Sequence, residues 1–421
     1  MIPFRILSSQ KYFCSKKESF DEALSNRLDM EPDYIAHSFV EIFSQVGDPR
    51  HHRTRKHDLI DILFAALCAI LCGAEDCVAM ADFARGRLNL LRKFVKMRGG
   101  PPSHDTFSRV LAVMSPTQFS ECFILWTQML QQQTAGGVKA LNGEVIALDG
   151  KTVRHSFDTA TGKAAIHMVS AWGALNGLVL GQVKVSEKSN EITAIPELLR
   201  LLDIGGATIT IDAMGTQKQI AAQIVEGGAD YILAVKGNQP DLQADLHAFF
   251  ERTHRDRFLD AQANVIPHTR CQTRDADHGR IETRTCIASD MLDQIPSASA
   301  WTNLRSLVQV QSERRVGDKV THETRYYITS RAPDAAKILQ DIRLHWRIEN
   351  CLHWVLDVTF DEDRNRTRLG HGPENLAALR HIALNVFKSN TTRKASVRRK
   401  RNMAAWDPEF VIELLTNQKL N

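Results

Sequence analysis

Residues 145–152 read Val-Ile-Ala-Leu-Asp-Gly-Lys-Thr, and residues 208–212 read Thr-Ile-Thr-Ile-Asp. Each apolar run predicts a short strand that meets an aspartate, Asp149 in the first and Asp212 in the second. Aspartate is common at strand ends because it makes turns, but strand-like sequence continues past the Gly-Lys pair after Asp149. Neighbouring strands lie about 4.8 Å apart, so two carboxylates on adjacent strands can share a divalent cation.

The segments around these runs predict the sheet that carries them. Residues 165–172 and 178–186 are strand-like and are joined by a turn with an Asn-Gly dipeptide, a strong hairpin signal. After them, helical patterns at 191–202 and 216–226 alternate with the strands 208–211 and 231–235. Alternation of this kind implies parallel pairing with crossovers. Three antiparallel strands followed by two such strands predict an α/β fold with a ribonuclease-H-like sheet.

The remaining chain divides by pattern into flanking regions. Residues 1–30 are a poorly specified N-terminal extension, and the apolar spacing over 31–135 predicts a helical N-terminal domain that is a candidate for DNA binding. Within the ribonuclease-H-like domain, predicted over 140–390, residues at about 237–332 are mostly strand-like and predict a β-rich insertion. Residues 391–421 are interpreted as a basic C-terminal tail.

A third acidic residue, Glu349, lies in a long helix predicted over 334–356. Steps of three and four residues from Ile342 and Trp346 on its apolar stripe arrive at Glu349. A buried carboxylate without a partner is costly, so Glu349 needs a metal ion or a cationic neighbour such as Arg347 or His353. The pattern alone leaves a structural salt bridge and a metal ligand both open.

Basic residues are clustered although the formal net charge of the 421-residue chain is only +4. Lys151 follows the first aspartate and Lys236 ends an apolar strand, so both are candidates to hold a phosphate. The tail contributes a further cluster that suits a phosphate backbone, namely Arg398, Arg399, Lys400 and Arg401. No apolar run reaches the roughly 18 residues of a membrane span, and residues 1–17 contain no sustained apolar core of a signal peptide. We expect a cytoplasmic, nucleoid-associated protein without membrane contact.

The sequence resembles the insertion-sequence transposases of the DDE superfamily, specifically the H-repeat-associated group. Six segments carry the resemblance in the family's order, over about residues 35–390. They are Asp-Leu-Ile-Asp-Ile-Leu-Phe-Ala-Ala-Leu-Cys-Ala at 58–69, Pro-Ser-His-Asp-Thr-Phe-Ser-Arg at 102–109, Ala-Leu-Asp-Gly-Lys-Thr-Val-Arg at 147–154, Thr-Ile-Asp-Ala-Met-Gly-Thr-Gln-Lys at 210–218, Asp-Tyr-Ile-Leu-Ala-Val-Lys-Gly-Asn-Gln at 230–239 and His-Trp-Arg-Ile-Glu-Asn-Cys-Leu-His-Trp-Val-Leu-Asp-Val-Thr-Phe at 345–360.

The resemblance implies a catalytic triad of Asp149, Asp212 and Glu349 that binds two Mg²⁺ ions, with Mn²⁺ as a substitute. It implies nicking at terminal inverted repeats, strand transfer into target DNA, and a homodimer that brings two ends together. Two alternatives stay open: a ribonuclease-H-fold nuclease without joining activity, and an inactive remnant that only binds DNA.

One departure concerns the Tyr-x2-Arg-x3-Glu-x6-Lys signature of many relatives in the superfamily. Ile342, His345 and Leu356 stand at its Tyr, Arg and Lys places. The candidates to grip the transferred strand are therefore Arg343, His345 and Arg347.

Overall fold

Helices make up the described chain before residue 135. The computed structural model describes residues 34–134, 141–159, 162–186, 190–259, 264–277 and 279–418, and the predicted extension over 1–30 lies outside these ranges. The first helices are α1 (Tyr34–Phe43), α2 (Leu59–Leu71), α3 (Cys77–Gly86), α4 (Leu88–Leu91), α5 (His104–Val113) and α6 (Pro116–Thr134). Ser103 caps α5 through its hydroxyl, which accepts from the Thr106 N–H at 3.3 Å. Among the described helices, none has the length and apolar character required to span a bilayer.

The predicted ribonuclease-H-like arrangement is present in the next five strands. Strands β1 (Val145–Thr152), β2 (His167–Gly173) and β3 (Leu178–Lys184) form an antiparallel meander. The helices α7 (Glu191–Leu201) and α8 (Lys218–Glu226) then alternate with β4 (Thr208–Ile211) and β5 (Asp230–Val235). Strand β4 pairs in parallel with both β1 and β5, so all three end at one edge of the sheet. All four residues of β4 are buried, as expected for a parallel strand covered on both faces.

The predicted β-rich insertion extends the same sheet instead of forming a separate unit. It begins with helix α9 (Pro240–Arg255). Four antiparallel strands follow: β6 (Thr269–Asp277), β7 (Arg280–Ser289), β8 (Ser306–Val316) and β9 (Lys319–Thr329). Strand β9 pairs with β5, which gives one nine-stranded sheet in the order β3-β2-β1-β4-β5-β9-β8-β7-β6.

The long helix predicted over 334–356 is interrupted. Helix α10 (Ala335–His345) is followed by a π-helical turn (Glu349–His353) and then by the short helix α11 (Trp354–Thr359). The N–H of Trp354 bonds the carbonyl of Glu349, five residues earlier. Widened turns of this kind are frequent at functional sites. The prediction of one uninterrupted α-helix over 334–356 is therefore wrong at Glu349.

The predicted basic tail is also corrected, because the end of the chain is folded. Helix α12 (Gly372–Ser389) is almost wholly buried, and α13 (Val397–Trp406) and α14 (Pro408–Thr416) follow it. These helices pack on the N-terminal ones, and a continuous apolar core runs from Ile35 to Leu415. The helices predicted for the N-terminal region are present, but their core is shared with the sheet and with the C-terminal helices.

Candidate active site

Two aspartates follow neighbouring strands at the edge where β1, β4 and β5 end. In the parallel pair of β1 and β4, Leu148 lies opposite Ile211. Asp149 and Asp212 are the residues that directly follow this last pair, Asp149 within β1 and Asp212 just after β4. One oxygen of Asp212 also accepts from the N–H of Met214 at 3.0 Å and closes the turn after β4. The structure thus brings the first two predicted catalytic residues together.

The surroundings of Asp149 are buried and negative. Burial raises the pKa of its carboxyl group to about 7, with further increases from Glu191, Asp212 and Glu349, while a hydrogen bond from the N–H of Gly150 acts in the opposite direction. That N–H lies 2.9 Å from Oδ1 of Asp149. Like charges disfavour one another in a desolvated site, and a cation reverses this preference. A cation beside Asp149 would therefore favour its ionised form.

The π-helical turn with Glu349 is held on the sheet at both of its ends. His345, four residues before Glu349, has Nδ1 at 3.0 Å from Oγ1 of Thr210 on β4. His353, four residues after it, has Nδ1 at 3.6 Å from Oδ2 of Asp149. These two contacts place Glu349 at the strand ends that carry the aspartates. Burial lowers the pKa of His353 to about 4, so its imidazole is neutral near pH 7.

Lys151 does not face the solvent as a free cation. Its side chain is 11% exposed, and its Nζ lies 2.7 Å from Asp357, 3.0 Å from Glu362 and 3.1 Å from Asp363. Glu362 is itself buried and lies 3.6 Å from Arg380 on α12. This group, the Lys151 cluster, connects β1 to α11 and to the segment directly after it. The predicted role of Lys151 in holding a phosphate is corrected to an internal ion-pair role.

Lys236 remains exposed at the end of β5. The two residues that follow the next glycine fix its loop beside the turn after Asp212. The side-chain amide of Asn238 donates to the carbonyl of Ala213, and that of Gln239 donates to the carbonyl of Thr216 at 2.9 Å. Lys236 therefore lies at the same sheet edge as the aspartates with its charge available.

The three candidate phosphate-binding residues before Glu349 differ in exposure and in their partners. Arg343 is 41% exposed and pairs with Asp275 of β6 at 2.9 Å. Burial lowers the pKa of His345 to about 4, so this side chain is neutral near pH 7 and contributes no positive charge. Arg347 is exposed at the surface and donates to the carbonyl of Ala174 at 2.8 Å. The predicted phosphate contact is thus corrected for His345 and stays a prediction for the two arginines.

The basic cluster at the end of the chain divides by helical phase. Arg398 and Arg399 are exposed on α13, whereas Lys400 and Arg401 are 5% and 8% exposed. The buried pair donates to backbone carbonyls, those of Phe387 and Asn390 for Lys400 and those of Ile70, Ala74 and Thr359 for Arg401. The predicted DNA contact is therefore corrected for Lys400 and Arg401, because their charges are used to bind the ends of other helices.

Sequence reasoning did not identify two further side chains at this edge as functional. They are Glu191, the first residue of α7, and His167 of β2, and their side chains bond to each other. The sequence offered only two signals for these residues, a glycine directly after Asp149 and an asparagine directly before Glu191. Neither signal shows that β1 and the start of α7 are in contact. In the ranges that the structure covers, no three His, Cys, Asp or Glu side chains are grouped tightly enough to form a complete metal site.

Comparison with known families gives the class of the protein. The model of the Transposase DDE domain matches residues 141–386, which contain the strands, the insertion and the helix with Glu349. The chain belongs to the DDE transposases. A second model, described as DDE_Tnp_1-associated, matches residues 40–127 of the transposase, within its N-terminal helices.

Curated relatives confirm the H-repeat-associated group. The transposase is 41% identical over 384 residues to "Putative transposase YncI" of Escherichia coli O157:H7, covering 90% of this chain and 95% of that protein. It is 38% identical over 387 residues to "H repeat-associated putative transposase YhhI" of Escherichia coli (strain K12), covering 91% and 98%. Among solved structures, the cryo-EM piggyBac transposase synaptic complex with hairpin DNA aligns at a TM-score of 0.42 and 11% identity, over 91% of this chain and 82% of that one. A likeness of that degree supports no inference about the site.

Proposed function

We propose that this transposase cuts DNA at the ends of its insertion element and joins the freed ends to target DNA, with Asp149, Asp212 and Glu349 as its catalytic carboxylates. One observation carries the proposal. The parallel register of β1 and β4 aligns the two aspartates, and the contacts of His345 and His353 hold the turn with Glu349 at the same edge.

The donor set at this edge favours Mg²⁺ as the cation, with Mn²⁺ as a substitute. The three proposed ligands offer carboxylate oxygens, which hard divalent cations prefer. The raised pKa of Asp149 follows from burial beside negative charges, which a bound cation would offset. When bound, two such ions neutralise phosphate charge, activate the attacking oxygen and stabilise the leaving oxygen.

Basic side chains would then position the DNA and neutralise phosphate charge, which phosphoryl transfer mainly requires. Lys236 is exposed at the active edge and is proposed to contact a phosphate there. Arg343 and Arg347 precede Glu349 in the chain and are proposed to contact the transferred strand. Arg398 and Arg399 face solvent from α13 and are proposed to bind the DNA backbone farther along the duplex. Because two ends must be joined together, the active species is proposed to be a homodimer.

The experiment is cleavage of a duplex that carries the terminal inverted repeat of the element, with Mg²⁺ and with EDTA. Wild type is expected to nick only with Mg²⁺, and Glu349→Gln and Asp212→Asn are expected to bind the duplex but lose cleavage. The loss should exceed about a hundredfold, since even outer-shell partners of a metal are worth about 10–100-fold. Glu226→Gln, an exposed acid at the end of α8, is the matched control.

Three results would contradict parts of this proposal. Equal cleavage by wild type and the two variants would remove Asp212 and Glu349 from the catalytic centre. Binding without cleavage by wild type would favour the inactive, DNA-binding alternative. Cleavage without joining of the freed 3′ end to a target plasmid would favour the nuclease alternative.

A further inference from the structure

A fourth acidic side chain lies against Gly150, the residue that follows Asp149. Glu191 begins α7, and its carboxylate is pressed against the backbone of Gly150. A β-carbon on residue 150 would stand 2.0 Å from Oε1 of Glu191 and 2.4 Å from Nε2 of His167. Residue 150 must therefore lack a side chain for Glu191 to reach this place. The contact of Glu191 with β1 thus depends on the glycine at position 150.

The position of Glu191 is fixed from both sides. Asn190 caps the start of α7, with Oδ1 at 3.1 Å from the N–H of Ile192. His167 lies between two partners, with Nε2 at 2.7 Å from Oε1 of Glu191 and Nδ1 at 2.8 Å from Oγ1 of Thr152. The Glu191 side chain is only 14% exposed. Within the described ranges no hydrogen bond to its second oxygen, Oε2, is formed.

Stability alone does not account for a carboxylate at this place. Its carboxylate stands against the residue that follows Asp149 and adds a negative charge there. A neutral glutamine would accept the same hydrogen bond from His167 without adding a charge to a desolvated acidic group. An acid retained here points to a cationic ligand for its free oxygen.

We propose that Glu191 is a fourth catalytic carboxylate, which binds with Asp149 to a divalent cation through Oε2 while His167 holds Oε1. This inference rests on the proposed function, because the cation is the one that the three predicted carboxylates bind. It raises the number of carboxylates available to two cations from three to four. It also explains why residue 150 is glycine, since any side chain there would displace the carboxylate of Glu191.

The test measures Mn²⁺ binding to the full chain in complex with a duplex that carries the terminal inverted repeat. The electron paramagnetic resonance signal of free Mn²⁺ reports how much of the ion is bound. Glu191→Gln keeps the acceptor for His167 and removes the charge. It is expected to weaken at least one Mn²⁺ site by about tenfold or more, in the range known for altered metal surroundings. Glu197→Gln, an exposed acid on the same helix, is the matched control and should bind as wild type does.

A purely structural role makes different predictions. If Glu191 only positions His167, then His167→Ala should reproduce the Mn²⁺ defect of Glu191→Gln; under the proposal, His167→Ala keeps the greater part of Mn²⁺ binding. In EDTA, Glu191→Gln should be at least as resistant to urea as wild type, since it removes one of several mutually repelling charges. A variant that is less stable in EDTA and binds Mn²⁺ normally would overturn the proposal.

A further variant distinguishes failure of this proposal from failure of the proposed function. Asp149→Asn is measured in parallel. If Asp149→Asn loses Mn²⁺ while Glu191→Gln binds like Glu197→Gln, the fourth carboxylate is refuted and the triad stands. If Asp149→Asn also binds like wild type, the three-carboxylate site itself is refuted.

Discussion

Replacing Lys151 with methionine tests the Lys151 cluster most directly. The ammonium group lies 2.7–3.1 Å from the carboxylates of Asp357, Glu362 and Asp363, and Glu362 is 2% exposed. Removing one partner of a buried ion pair costs about 3–5 kcal/mol, because the remaining charge is left desolvated. Glu362 keeps Arg380 at 3.6 Å, so the lower end of this range, about 3 kcal/mol, is expected.

The assay is urea unfolding followed by tryptophan fluorescence, with Lys218→Met as the control. Lys218 is exposed on α8, so its replacement should change the free energy of unfolding by less than about 0.5 kcal/mol. Adding Glu362→Gln to Lys151→Met should recover part of the loss, with a coupling energy of about 1–3 kcal/mol. If Lys151→Met is as stable as Lys218→Met, the reasoning is refuted, and Lys151 becomes available again as a phosphate contact.

Three further predictions concern the edge strand β3, the basic residues of α13 and the stability of the protein in acid. Asn385→Leu is expected to lower the free energy of unfolding by about 2–4 kcal/mol, because the amide of Asn385 bonds both the N–H and the carbonyl of Val179 on the edge strand β3; a urea midpoint equal to wild type would contradict this. Arg399→Gln is expected to reduce the slope of log K for DNA binding against log salt by about 0.9 with unchanged stability, whereas Arg401→Gln is expected to lose about 2–4 kcal/mol of stability because three carbonyls lose their donor; the same profile for both would count against the division of the cluster. Burial acts to raise the pKa of Asp48, but hydrogen bonds and charges from two arginines outweigh it and hold the pKa below its ordinary value. Its stabilising contribution is therefore present above the unfolded pKa of about 3.9 and lost as the pH falls through the lower folded value. Asp48→Asn should be less stable than wild type by under about 1 kcal/mol at pH 7, and a gap of the same size at pH 2 would argue against the ion pair.

The sheet edge was predictable because its signals are local. The apolar runs before Asp149 and Asp212 have the length of buried strands, and alternation with helices implies the parallel register that aligns the two acids. The helix that carries Glu349 could be predicted from its apolar spacing, but the buried position expected for Glu349 was wrong, because Glu349 and Trp346 are exposed. The π-helical turn at Glu349 could not be predicted, because the contacts on either side of it join residues that are far apart in sequence.

Burial of charge was the least predictable feature. Arg398 and Arg401 belong to one basic run, and composition favours a solvated surface for both. The carbonyls that bind Arg401 belong to segments more than 40 residues away, so only the packed structure shows which side of α13 turns inward. The same holds for Glu191, whose contact with Gly150 joins a helix start to a strand 41 residues earlier.

The packing of α14 on α1 has a consequence for the gene as well as for the protein. During synthesis the apolar face of α1 leaves the ribosome early and gains its full cover only when residues 408–416 have been made. A frameshift or stop codon shortly before residue 408 therefore leaves α1 without this cover and exposes the product to proteolysis. Such a mutation is expected to silence the copy outright, without leaving a shortened protein that occupies DNA ends and competes with intact copies elsewhere in the genome.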